Sequence, residues 1–182
     1  MSEAIFALDR AVLLFVQENL RCPALDVFFR FFSLICNAGI CWLLLGAALA
    51  AFSETRRGGL AMLIGAGAEA ALCEGIIKHL VRRARPYTLI EELELLIAEQ
   101  GTWSFPSGHT AASFTCAFIL AGFFPKYGRL AYIPAAIIAV SRVYVGVHYP
   151  SDVIAGAAFG VLTGWIVCAV LRRFSYFGGE KK

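Results

Sequence analysis

Residues 153–171 form a run of 19 without one charged side chain. Crossing the hydrocarbon core of a bilayer as a helix takes about 20 mostly apolar residues, because every backbone donor and acceptor has to be satisfied inside the segment. Residues 40–53, 110–124 and 130–140 are nearly as apolar, and 60–77 is interrupted only by Glu69 and Glu74. Together these runs point to a polytopic membrane protein. Composition agrees, with 59% apolar and 16% charged residues in 182, against about 45–50% and about 25% in an average soluble domain. A disordered chain, a coiled coil and a hydrophilic enzyme are excluded. Six spans would take roughly 120 residues and leave about 60 for loops and tails, too few for a separate soluble domain. The expected architecture is all-α: one domain over 1–182, a membrane bundle of about six transmembrane helices. The net charge of +3 makes no case for nucleic acid.

The N-terminal part is more mixed in character. Residues 3–20 mix Ile5, Leu8, Val12 and Phe15 with Glu3, Asp9, Arg10 and Glu18. They fit an amphipathic interfacial helix better than a clean span, with a span packed inside a bundle as the alternative. Residues 24–36 form a second apolar segment holding Asp26 and Arg30, and Asn37-Ala38-Gly39 reads as a break. No cleavable signal peptide is evident. The six cysteines lie scattered without a C-x-x-C pair and read as buried free thiols. Arg56 and Arg57, Lys126 and Arg129, and Arg172, Arg173, Lys181 and Lys182 fall on one side of alternating spans. The positive-inside rule makes that side cytoplasmic. The connection 78–108 and the loop near 142–152 are then expected to face outward.

Three polar groups converge on that outer face: Lys78 with Arg85-Pro86, Pro106-Ser107-Gly108-His109, and Ser141-Arg142 with His148 and Asp152. Lys78, Arg85 and Arg142 would repel one another unless a multivalent anion held them, and phosphate suits arginine forks and a lysine point charge. Ser107 and Gly108 open a helix, where unpaired N–H groups and the dipole favour an anion. A basic patch for anionic lipid heads would account for Lys78 and Arg85 alone, but not for all three groups. Pro150 suits a first helical turn, so Asp152 can reach back to one imidazole nitrogen of His148 and leave the other free to attack. His109 could give a proton to a leaving oxygen. Ser107 as nucleophile is disfavoured because no G-x-S-x-G elbow is present. A metal held by His109, His148 and Asp152 is disfavoured among three cations.

The pattern K-x6-R-P, P-S-G-H, S-R-x5-H-x3-D, complete and in order over 78–152, resembles the type 2 phosphatidic acid phosphatase superfamily. That resemblance implies hydrolysis of a phosphate ester or anhydride through a phosphohistidine, with no metal and no cofactor. It implies His148 as nucleophile, Asp152 as its orienting partner and His109 as general acid. Lys78, Arg85, Ser107, Gly108 and Arg142 become phosphate ligands. The superfamily's vanadate-dependent haloperoxidases are large soluble proteins, unlike this chain. Short bacterial members act on undecaprenyl diphosphate, phosphatidylglycerophosphate or phosphatidic acid, and no spacing separates these. A small chain with an outward-facing site in a bacterial inner membrane suits the undecaprenyl carrier best. The implied partners are a lipid phosphate and the bilayer, and the oligomeric state stays open.

Two other functional classes fit the sequence less well. A non-catalytic scaffold would need none of His109, His148 and Asp152. Transport is suggested by Glu69 and Glu74 inside a span, but Glu74 stands four residues before Lys78, the spacing of a helical ion pair. Finally, Leu89, Leu93, Leu96 and Ile97 recur at helical steps among glutamates. This predicts a short amphipathic helix within 87–103, lying at the outer surface. Trp103 would anchor its end, and one glutamate would balance Arg82 or Arg83. It would either guide the lipid headgroup or serve as a plain cover.

Overall fold

The computed structural model describes residues 3–35 and 39–174, and every regular element among them is helical. The helices are α1 (Glu3–Asn19), α2 (Pro23–Ile35), α3 (Ile40–Ala51), α4 (Arg56–Leu72), α5 (Lys78–Val81), α6 (Gly108–Phe123), α7 (Tyr132–Tyr144) and α8 (Pro150–Arg173). A π-helical turn, Cys73–Ile77, joins α4 to α5. Arg56–Thr88, of 33 residues, and Pro150–Arg173, of 24, are each long and apolar enough to cross a membrane. Helices α2 and α3 meet at 55° and qualify together as one broken span, while α6 is apolar but shorter. With α1 and α7 these make six helical segments, the all-α bundle that composition demands.

Large apolar side chains point outward along these segments. Val27 and Phe31 on α2, Leu44 on α3, Ile64 on α4, Val140 on α7 and Ile154, Trp165 and Val170 on α8 are all exposed. Such a surface would drive association in water; in hydrocarbon it costs nothing. Helix α6 sits at the centre, packed on α4, α7 and α8. Its contact with α8 depends on Gly156, Gly160 and Gly164, one every fourth residue. A Cβ on Gly160 would run into the Ala111 carbonyl, and one on Gly156 would crowd the Ser107 carbonyl. Small residues at this spacing let two backbones approach where no hydrophobic force favours burial. The Thr115 hydroxyl adds a 3.0 Å hydrogen bond to the Gly160 carbonyl.

The 82–107 segment joins α5 to α6 and the short 145–149 loop joins α7 to α8, so α5 ends, α6 begins, α7 ends and α8 begins at one end of the bundle. Helix α1 lies across that end instead of running down through it. Phe6 and Leu13 pack on Tyr149, Ile90 and Leu93, Arg10 pairs with Glu92 at 2.6 Å, and the Gln17 amide bonds both the carbonyl of Glu92 and the N–H of Glu94 at 2.8 Å. Its outer face presents Ile5, Leu8 and Phe15, as an interfacial helix should.

The segment expected to hold an amphipathic helix does not. After a 3-10 turn at Pro86–Thr88, residues 89–107 run irregularly to α6. Their polar backbone is satisfied from elsewhere: Leu96 N–H by the Val145 carbonyl at 3.3 Å, Gln100 N–H by the Tyr87 hydroxyl at 3.1 Å, and residues 92–94 by Gln17. Tertiary partners have replaced the i to i−4 ladder. The apolar side chains do point inward, Ile90 and Leu93 under α1 and Leu95, Leu96 and Ile97 against Tyr144, Val145 and Val147. Arg83 pairs with Asp9 and Asp152 rather than with a nearby glutamate, and Trp103 is partly exposed. The uniform reading of the cysteines also needs correction. Cys73, Cys116 and Cys168 are buried free thiols, but Cys22 is exposed and free, and Cys41 is disulfide-bonded. Cys36 lies outside the described residues.

Candidate active site

A cavity of about 520 Å3 opens where these helix ends meet, lined by Lys78, Arg85, His109, Arg142 and His148. The π turn places part of its wall. An extra residue in one turn returns Glu74 to the face that carries Glu69, and Glu69, Glu74 and Lys78 all line the cavity. Lys78 is buried, with Nζ 2.7 Å from Glu74 Oε1 and donating to Thr102 Oγ1 at 3.1 Å. The pairing expected from their i, i+4 spacing is thus formed.

Arg85 is held on every nitrogen. Nε donates to the Thr102 carbonyl at 2.7 Å, one terminal nitrogen to the Val147 carbonyl at 2.8 Å, and the other to Thr102 Oγ1 at 3.1 Å. The nitrogen on Val147 also lies 3.3 Å from His148 Nε2. Guanidinium can only donate, so Nε2 is the acceptor and the imidazole proton sits on Nδ1. That Nδ1 faces Asp152 Oδ2 at 3.5 Å, longer than a good hydrogen bond and of the kind that tightens on loading. The outcome is a lone pair on Nε2 at the cavity wall.

Asp152 lies behind His148, wholly buried. It accepts the Tyr149 N–H at 3.0 Å, the Ser104 hydroxyl and Arg83. Its place in the first turn of α8 follows from Pro150 at the helix start. His148 is in the loop between α7 and α8, and its imidazole is held well below its ordinary pKa. Burial is the main cause, followed by the charges of Arg85, Arg142 and Lys78. Opposite, His109 in the first turn of α6 has a buried Nε2 with no hydrogen-bond partner among the described residues. Arg142, 1% exposed, donates to the hydroxyl and carbonyl of Ser33 on α2, while its Nε has no such partner.

Seven of the eight residues singled out in the sequence meet here: Lys78, Arg85, Gly108, His109, Arg142 and His148 on the cavity wall, Asp152 behind. Gly108 is tight against Glu74, where a Cβ would collide with the carboxylate oxygen that Lys78 holds. Ser107 is set apart. Its Oγ bonds Thr110 Oγ1 at 3.0 Å and its N–H the Asp152 carbonyl at 3.1 Å, so it ties α6 to α8 and does not line the cavity. Three buried cations, an imidazole with its Nε2 at the cavity wall and a second imidazole across the gap are the equipment for attack on a tetrahedral anion.

The sequence pattern described as the PAP2 superfamily matches residues 58–176. This chain belongs to that superfamily. Its PAP2 relatives include an undecaprenyl-diphosphatase from Sulfolobus acidocaldarius, 36% identical over 69% of this chain and 59% of the relative. The chain spans about half the length of the first curated relatives it matches. Among solved structures it resembles a PAP2-type phosphatidylglycerolphosphate phosphatase from Bacillus subtilis, with a TM-score of 0.74 and 26% identity, covering 94% of this chain and 88% of that one. It also resembles Aquifex aeolicus LpxE, with a TM-score of 0.72 and 32% identity over 90% and 94%. Apolar spans and PAP2 membrane relatives make it a membrane protein.

Four residues that no motif spacing marks complete this PAP2 site. Thr102 bridges Lys78 and Arg85, Ser104 caps Asp152, Arg83 backs Asp152, and Asp9 backs Arg83. In the sequence Arg83 stands out only as a possible partner for a glutamate of 87–103. Asp9 lies some seventy residues away in sequence, and nothing in the chain's pattern joins it to the site.

Proposed function

We propose that this protein is a membrane lipid phosphatase that works through a phosphohistidine on His148, with undecaprenyl diphosphate as its leading substrate. The observation that carries the reading is the Nε2 lone pair of His148 set in a wall of three cations, with His109 across the cavity. Lys78, Arg85 and Arg142 hold the phosphate oxygens, and the open Nε of Arg142 gains a partner that offsets its burial. His148 Nε2 attacks phosphorus, the P–O bond to the lipid breaks, and His109 gives its proton to the departing oxygen. The bound phosphate supplies the negative charge that lets His109 carry that proton among cations. Water then attacks the phosphohistidine, His109 takes the water proton, and orthophosphate leaves. Charge building on the five-coordinate phosphorus meets fixed cations in a dry site, which favours the transition state most.

The site end is read as the outer face of a bacterial inner membrane. Arg56, Arg57, Lys126, Arg129, Arg172 and Arg173 gather at the other end, which suits the cytoplasm. At the site end Arg10, Lys78 and Arg83 are matched by Glu92, Glu74 and the pair Asp9 and Asp152.

One observation favours phosphatidylglycerophosphate as a second reading. Below the cations the cavity runs between Trp42, Leu43, Leu63 and Ala66, a floor suited to lipid carbons, but Glu69 lines it too. Glu69 is 3% exposed, and its Oε1 has no partner among the described residues. A glycerol headgroup carries a hydroxyl donor for such an oxygen; an isoprenoid chain does not. The test is phosphate release from undecaprenyl diphosphate, phosphatidylglycerophosphate and phosphatidic acid in detergent, with the parent protein and Glu69→Leu. Preference for the isoprenoid, kept or improved by Glu69→Leu, supports the first reading. A selective loss on the glycerol lipid supports the second. No release from any of the three ends the phosphatase reading. Activity is expected to survive EDTA, because the three cations neutralise the phosphate.

The lowered imidazole pKa sets an expectation for pH. A pKa below the usual value near 6.5 keeps His148 neutral and nucleophilic as the medium is acidified through that value. After correction for the substrate's own ionisation, kcat/KM should show no acid limb centred near pH 6.5. A limb there would mean that the nucleophile titrates as a free imidazole.

A further inference from the structure

Asp9 is a buried carboxylate on a helix that otherwise lies on the surface. It is 2% exposed, and it stands outside the stretch 58–176 that the family pattern matches. Its Oδ2 pairs with a terminal nitrogen of Arg83 at 2.7 Å, and its Oδ1 accepts the Ser151 N–H at 2.9 Å. The Ser151 hydroxyl donates to it as well. Arg83 lies with its guanidinium carbon 3.7 Å from the centroid of the Tyr149 ring. Its other terminal nitrogen donates to Ser151 Oγ at 2.8 Å and to Asp152 Oδ1. Asp152 Oδ2 is the oxygen that faces His148 Nδ1. A continuous chain of buried contacts therefore runs from α1 to the imidazole.

Resting on the phosphatase reading above, we infer that Asp9 and Arg83 are a positioning pair for His148, so that α1 completes the active site. Arg83 fixes Asp152 in place, but a lone cation against that carboxylate would also neutralise it. Asp9 shares the cation between two carboxylates and leaves Asp152 with negative charge to offer Nδ1–H. That charge is needed as Nε2 bonds to phosphorus and the ring becomes cationic. Neither Asp9 nor Arg83 lines the cavity that His109 and His148 share. The pair is therefore expected to act on the chemical step and not on affinity.

The experiment compares Asp9→Asn, Asp9→Glu and the parent on a lipid phosphate that the parent hydrolyses, with thermal unfolding followed alongside. Asp9→Asn keeps the shape and removes the charge. It should lower kcat by roughly 10- to 100-fold, as loss of a supporting partner commonly does, with KM within about twofold. Asp9→Glu should recover part of the loss. Ser151→Ala, which removes one link and no charge, should lower kcat severalfold and covers the case in which Asp9→Asn does not fold. The second reading uses no turnover: in 15N-histidine protein, the His148 ring signals, assigned by their loss in His148→Ala, should move in Asp9→Asn away from the Nδ1–H form. If folded Asp9→Asn keeps kcat within twofold, or loses activity only through KM, or leaves those ring signals in place, the inference is overturned. A parent without phosphatase activity would sink the functional reading, while the ring signals would still decide the role of Asp9.

Discussion

Replacing His148 by alanine is expected to abolish turnover in a protein that still folds. The ring is wholly buried, and its side-chain polar neighbours stand at long range, Arg85 3.3 Å from Nε2 and Asp152 3.5 Å from Nδ1. Truncation therefore removes no strong hydrogen bond, and the stability cost should be that of an ordinary buried truncation, about 1–3 kcal/mol. The chemical cost is different in kind. Among the described residues the other imidazole at the cavity wall, His109, begins the opposing helix and is assigned the proton transfers, and Ser107 Oγ is bonded to Thr110. Loss of a nucleophile whose partners act as a unit costs on the order of 10⁵ to 10⁶ in kcat. Phosphate release is the measurement, with acid-quenched protein checked for covalently bound phosphate. Near-normal release by folded His148→Ala would remove the phosphohistidine from the mechanism.

The second large effect is expected at Arg85, and it should persist in Arg85→Lys. This guanidinium reaches Thr102, Val147 and His148 at once, with bonds of 2.7 to 3.3 Å from three nitrogens. Lysine keeps the charge but has a single nitrogen, so it cannot both hold the Thr102 and Val147 carbonyls and face the imidazole. Two consequences follow. The cage loses a wall, and Nε2 loses the donor that keeps its proton on the far nitrogen. We expect Arg85→Lys to lower kcat/KM on the order of 10²- to 10³-fold, the scale for removing a preorganised donor at developing charge. Arg85→Ala should do worse and also lose stability, because the Val147 and Thr102 carbonyls are left without their donor. Kinetics beside thermal unfolding separates the two. A fully active Arg85→Lys protein would mean that charge alone suffices there.

Much of this site could be read along the chain. Lys78, Arg85, His109, Arg142, His148 and Asp152 are all short-range statements: a helix end, a proline that starts the next helix, a carboxylate one turn from an imidazole. Helical geometry converts such spacings into positions with little freedom, so Glu74 could be matched to Lys78 and Asp152 to His148 from spacing alone. The 89–107 segment marks the limit of that logic. Its apolar residues recur at helical steps and do turn inward, but the backbone takes its hydrogen bonds from Gln17, Tyr87 and Val145 instead of from itself. Periodicity reported which side chains would be buried and could not report who would satisfy the peptide groups. Ser107 shows the same limit at one residue: its position at a helix start is right, and its hydroxyl is engaged elsewhere.

By itself the sequence determined that the chain enters a membrane as an all-α bundle, because runs this apolar leave the backbone no other way to satisfy its polar groups. It also determined which end of the bundle gathers the cations and imidazoles, since alternating spans bring the ends of α5 and α7 and the starts of α6 and α8 together. Only the tertiary structure decided what stands behind them. Whether α1 crosses the bundle or lies over it, whether Arg83 answers a glutamate nearby or Asp9 far away, and whether Glu69 faces lipid or the cavity all depend on packing between segments distant in sequence. Such contacts follow from burial and from the pairing of buried charge across the whole fold, and no local period in the chain records them.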